Sequence, residues 1–147
     1  MASIDDARRL IGLDCGLATL STIRSDGSVQ LTVVNAGIVE HPVHGRPVAG
    51  LVARGGTHKI DHLRACPRAA LLWRAGWAWV ALEGTAELCG PDDPMAGIDT
   101  TDMRLLFRTI ALASGMGEDD WIEYDRLVAA ERRTAVVITP ERIYQNP

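Results

Sequence analysis

The sequence predicts an α+β chain organised around a small antiparallel barrel, and three observations carry that expectation. Stretches rich in Thr, Val, Ile and Leu recur at strand length between turn-forming residues, one short helix interrupts them, and two amphipathic helices precede a closing strand. The chain has 147 residues, which suits one domain over 1–147 with enough apolar residues to bury a core.

Ser3 followed by Asp6 is close to a capping box, and Ile4, Ala7, Leu10 and Ile11 then recur at helical spacing, so a helix runs to Leu13 and stops at Gly16. Residues 17–24 and 29–39 flank Ser25-Asp26-Gly27-Ser28, the pattern of an antiparallel hairpin. After a loop at 41–46, a third strand covers 47–53 and breaks at Gly55-Gly56. Residues 57–66 carry Ile60 and Leu63 at i, i+3 and end against Pro67, which gives one short helix. Strands follow at 69–74 and 77–88, the second containing Gly84. Helical stripes over 101–116 and from Trp121 to Val128 are separated at Gly115–Gly117, and strand character returns at 134–139 and, beyond Pro140, at 142–145.

Composition narrows the function classes. Hydrophobic residues make up 47% and charged residues 23%, so neither disorder nor a disulfide scaffold is expected, and the three cysteines show no CxxC spacing. No apolar run approaches the ~18 residues of a membrane span and the N-terminal stretch lacks a signal-peptide core, from which a cytoplasmic protein without membrane contact is expected. The net charge of −4 disfavours general nucleic-acid binding. Residues 1–90 hold nine basic and eight acidic side chains, and the acidic excess lies beyond them.

Of the 15 basic residues one is lysine, Lys59, and it stands in Arg54-Gly55-Gly56-Thr57-His58-Lys59 at a strand-to-helix junction. Cations in the first turn of a helix oppose its dipole unless an anion is bound there. Thr57 is a good N-cap residue and the glycines let backbone N–H groups approach a ligand, so the segment reads as a phosphate cradle, with a glycine turn carrying solvated cations as the equal alternative. In the strand from Gly76 to Leu88, alternation sets Ala78, Val80, Leu82, Ala86 and Leu88 on the core face and opens the other face with Trp77 and Trp79, which suits a flat ligand or a subunit interface. His58 and His62 have i, i+4 spacing without a third ligand signal, so no metal is expected. No GxSxG or GxGxxG pattern is present, and no catalytic acid or base stands out.

Taken together, LATLSTIRSDGSVQLTVV, RGGTHKIDHLRACPRAALLW, GWAWVALEGTAEL and DDWIEYDRLVAAERRTAVVITPERIY resemble the split β-barrel flavin and deazaflavin oxidoreductases related to pyridoxamine 5′-phosphate oxidase, and most of all their actinobacterial branch that uses coenzyme F-420. The resemblance covers nearly the whole chain. It implies a split-barrel fold, a homodimer with cofactor in the grooves between subunits, and hydride transfer from reduced coenzyme F-420 to a conjugated organic acceptor, with FMN chemistry or a non-catalytic flavin or haem carrier as alternatives. It assigns phosphate binding to Lys59, the lysine of the cradle read above with Thr57, Gly56, Gly55, Arg54 and His58, the ring-side strand to Gln30, Thr32 and Val34, and the partner-side strand to Trp77 and Trp79. Thr57 departs from the family pattern, in which that position is commonly basic. Arg54, Arg64 and Arg68 are candidates for a basic groove mouth facing a polyglutamate tail. The cofactor carries such chemistry, so few catalytic side chains are needed.

Overall fold

The computed structural model describes residues 1–117 and 119–147, which form α1 (Ile4–Leu13), β1 (Leu17–Ile23), β2 (Val29–Glu40), β3 (Pro47–Ala53), α2 (His58–Ala65), β4 (Arg68–Ala75), β5 (Ala78–Cys89), α3 (Thr100–Ala113), α4 (Trp121–Ala130) and β6 (Thr134–Gln145). The six strands close into an antiparallel barrel in the order β1-β2-β3-β6-β5-β4. The α+β barrel expected from the sequence is therefore present, with four flanking helices. Among the described residues no helix is long and apolar enough to cross a membrane.

Local chemistry accounts for the starts of α1 and α4 and for the β1–β2 turn. The Asp6 carboxylate accepts the Ser3 N–H at 2.8 Å ahead of α1, and Asp120 accepts the N–H groups of Ile122 and Glu123 at the start of α4. In the β1–β2 turn the Asp26 carboxylate accepts both the N–H and the hydroxyl of Ser28, which fixes the register at Ile23 opposite Val29.

Two apolar cores result. One fills the barrel with Leu20, Leu51, Leu71, Trp73, Val80, Leu82, Val136 and Ile138, and is plugged by α1 and α2. The other lies outside the wall, where Leu106, Phe107, Ile110, Tyr124 and Val128 of α3 and α4 cover Val39, Val48, Ala135 and Val137. Strand β6 is thus buried on both faces over its first half. Close approach of α3 depends on Gly37, where a Cβ would lie 2.5 Å from the Ala113 carbonyl carbon.

The C-terminal strand covers both stretches that the sequence marks, 134–139 and 142–145, and joins them in one element. Pro140 does not end it: β6 runs on to Gln145, with Pro140 opposite Gly84, Arg142 opposite Glu83, and Glu141 extruded between them as a bulge. A bulge tolerates a proline whose missing N–H would otherwise leave a gap in the ladder. Gly84 has no room for a side chain there, since a Cβ would stand 1.9 Å from the Thr139 carbonyl oxygen.

Candidate functional site

The Arg54–Lys59 loop leaves β3 and enters α2 packed against the turn between α4 and β6. Gly55 donates its N–H to the Glu131 carbonyl at 3.2 Å, and a Cβ on Gly55 would meet the Arg132 carbonyl oxygen at 2.5 Å. Glycine is required here by protein backbone, and the Gly55 amide is already spent. That corrects the expectation of two glycine amides facing a ligand and leaves Gly56, whose surroundings are open. Thr57 does not cap α2 through its side chain: its hydroxyl donates to the Arg54 carbonyl at 3.0 Å, closing the loop instead.

The cations of this region are not equivalent. Arg54 meets the Glu131 carboxylate at 3.2 Å, and Arg133 meets it at 2.7 Å. The hydrogen bond from Arg133, with the charges of Arg133 and Arg54, holds the Glu131 carboxyl below the usual carboxylate range. Arg64 forks onto Asp93 at 2.8 and 2.7 Å and reaches Asp61, while Arg68 reaches Glu141 at 2.5 Å. The proposed groove-mouth arginines are therefore engaged within the chain. Three described cationic side chains are partly buried, Lys59, Arg108 and Arg133. The two arginines are paired with Asp125 and Glu131, whereas Lys59 has no hydrogen bond or ion pair among the described residues. His58 is exposed, and its ring lies 6.4 Å from that of His62, whose Nδ1 is 3.0 Å from the buried Thr22 hydroxyl. His62 thus ties α2 to β1.

Gln30, Thr32 and Val34 stand opposite Thr22, Leu20 and Ala18 and share their inward face, half-buried at one end of the barrel. The alternate residues Val29, Leu31 and Val33 face outward and are 54%, 64% and 73% exposed. Two shallow hollows lie along the outer wall. One, of about 260 Å³, is bounded by Ser21, Ile23, Arg68, Ala70 and Glu83; the other, of about 220 Å³, by Leu17, Thr19, Val33, Leu72 and Arg74.

The two tryptophans part company. Trp77 lies in the Gly76–Trp77 turn before β5 begins at Ala78, outside the alternation expected for it, and is 94% exposed. Its carbonyl accepts the Asn146 amide at 2.9 Å. Trp79 is half-buried with its ring edge-on to Tyr144, centroids 6.1 Å apart. The Tyr144 hydroxyl donates to Glu83 at 2.5 Å, which pushes the phenol above its usual value.

One constellation has no signal in the sequence spacing: His41, His44 and Glu87 bring ligand-type atoms within 4.8 Å of one another. His41 Nδ1 accepts the N–H groups of Val43 and His44, His44 Nδ1 accepts that of Arg46, and His41 Nε2 lies 2.9 Å from Glu87. Neutral rings held this way carry their protons on Nε2, so His41 donates to Glu87 and the group clasps the loop. Desolvation and the neighbouring His41 hold His44 below its ordinary value.

No protein-family model matches the chain. Solved structures do, at identities that establish the fold. A haem-binding protein from Mycobacterium smegmatis matches with a TM-score of 0.65 and 16% identity over 99% of this chain, which spans 55% of that protein's length. A Clostridium acetobutylicum protein related to general stress protein 26, of the pyridoxinephosphate oxidase family, matches with a TM-score of 0.63 and 14% identity, covering 97% of this chain and 87% of its own. An F420 reductase matches with a TM-score of 0.54 and 11% identity, covering 93% and 94%. The barrel is thus of the split-barrel type found in pyridoxamine 5′-phosphate oxidase-like proteins.

Proposed function

We propose that this chain is an oxidoreductase that binds a flavin-type cofactor, coenzyme F-420 before FMN, between two copies of itself and serves hydride transfer to a conjugated organic acceptor. The observation that carries the reading is Lys59: a half-buried lysine at the head of α2 with no acidic partner among the described residues, whose other partly buried lysine and arginine side chains are paired. A cation in the first turn of a helix opposes the helix dipole when no anion stands beside it, and a bound phosphate group relieves that. The residues fit such a group, because the space around Gly56 is open and Lys59 is free to donate. The F420 reductase and the pyridoxinephosphate oxidase family protein of the same fold favour this class of ligand.

In this reading Lys59 and the Gly56 amide hold the phosphate, and the outward row Leu31 and Val33 supplies an apolar surface that a second copy closes against water. When bound, the deazaflavin would supply the hydride; the protein contributes position and exclusion of solvent. A second reading, a non-catalytic carrier, draws support from the haem-binding protein of the same fold.

The test is a titration with coenzyme F-420, FMN and haem, followed by tryptophan quenching, on the wild type and Lys59→Ala. Deazaflavin binding weakened about tenfold or more in the variant, with turnover of an enone or quinone by the reduced cofactor, supports the proposal. A preference for FMN moves the chain to the flavin alternative. Equal affinity in the variant would remove Lys59 from the site, and haem binding without turnover would favour the carrier.

A further inference from the structure

Glu131 makes three contacts at the loop that presents Lys59, two of them to the loop itself. Its carbonyl takes the Gly55 N–H, its carboxylate takes Arg54, and the same carboxylate takes Arg133 from the other side. The first two contacts withdraw anion-binding groups from the loop, and the third holds the carboxylate in place. Nearby, Arg64 is spent on Asp61 and Asp93, and Arg132 on Asp92. Counting Lys59, these side chains are five basic and four acidic, which leaves one positive charge in excess.

We propose that Glu131 is a specificity-determining residue which, by withholding Arg54 and the Gly55 amide, tunes the Lys59 loop to a phosphate bearing a single negative charge, a diester, over a doubly charged monoester. The inference rests on the preceding reading that this loop holds a cofactor phosphate, and it adds the charge class that the loop selects. A phosphomonoester carries close to two negative charges at neutral pH, because its second pKa is about 6. Its second charge would meet no cation here. A group taken partly out of water without a partner loses more than it gains, whereas a diester is balanced by Lys59 alone. Replacing the Glu131 carboxylate by an amide raises the excess to two and releases Arg54, whose planar fork suits a phosphate monoester.

Two flavins that differ at the phosphate test this directly: FMN, a monoester, and riboflavin 4′,5′-cyclic phosphate, a diester with one charge, with riboflavin as the phosphate-free control. At pH 8 the wild type is expected to bind the cyclic ester about tenfold more tightly than FMN. Glu131→Gln should tighten FMN about tenfold and leave the cyclic ester within about twofold, erasing the preference. Adding Arg54→Ala to Glu131→Gln should restore the wild-type ratio, since the gain runs through Arg54. Arg54→Ala alone, a check independent of the stability of the Glu131 variants, should change neither affinity by more than about twofold. Equal ratios in wild type and Glu131→Gln, or FMN preferred by the wild type, would overturn the inference while leaving phosphate binding intact. Riboflavin binding as tightly as both esters, or no binding of any of the three, would overturn the cofactor reading along with it.

Discussion

Strand β2 has two halves with opposite fates. From Ala36 to Val39 it is buried on both faces, by the barrel inside and by α3 outside, and Gly37 is the point at which the helix backbone presses on the strand. From Val29 to Val33 the same strand has its inner residues half-buried while three apolar side chains stand in solvent. Both halves carry apolar side chains, Val29, Leu31 and Val33 in one and Ala36, Ile38 and Val39 in the other. What differs is that the chain supplies its own cover for one and none for the other, and the row of exposed β-branched and leucine side chains is the surface that the proposed second copy would cover.

The sharpest way to break the contrast is to charge the uncovered half. Leu31→Lys should leave the monomer folded, with a thermal midpoint near that of the wild type, and weaken a dimer formed through this face about a hundredfold, since the apolar residue is lost twice in a two-fold contact. Sedimentation over a concentration series reads the effect, and unchanged association would put the interface elsewhere. The covered half responds differently. Gly37→Val should cost about 2 kcal/mol in denaturant unfolding and lower hydrogen-exchange protection across α3, with no effect on association beyond that of lost stability.

The smallest effect is electrostatic. Asp125 of α4 is hydrogen-bonded by Arg108 of α3, and this bond with the charges of Arg108 and Arg104 holds its carboxyl below the usual value. The ionised form is favoured in the folded state. Its contribution is therefore complete above the unfolded value of about 4 and is lost as pH falls through the lower folded value. Partial exposure limits it to about 1 kcal/mol or less. Thermal unfolding of wild type and Arg108→Ala should differ at pH 7 and converge toward pH 3, while the midpoint of Leu31→Lys should stay close to that of the wild type across the same range.

How far the sequence could be read follows from how local each signal is. Helix α1, the hairpin at Ser25–Ser28 and the alternation of β5 depend on residues within a few positions of one another, and they form as their spacing suggests. The continuation of β6 through Pro140 depends on a bulge matched to Gly84, 56 positions away, and is invisible in a window around the proline. The same holds for the candidate site. Lys59 stood out by composition, but the loss of Arg54 to Glu131, of Arg64 to Asp93 and of the Gly55 amide to the α4–β6 turn are pairings between distant segments. Trp77 was misread for a nearer reason, since Gly76 adopts the left-handed conformation and the turn takes the tryptophan with it.

Strand β6 lies between β3 and β5, so the wall cannot close until the last of the six strands is inserted. Without β6 the other five strands make an open sheet in the order β3-β2-β1-β4-β5, whose two free edges expose unsatisfied amides and carbonyls. A chain in that state is a template for other strands, and that is the hazard this topology creates. The remedy is β6 itself: its 12 residues pair both free edges at once, and the wall is closed only when they are in place.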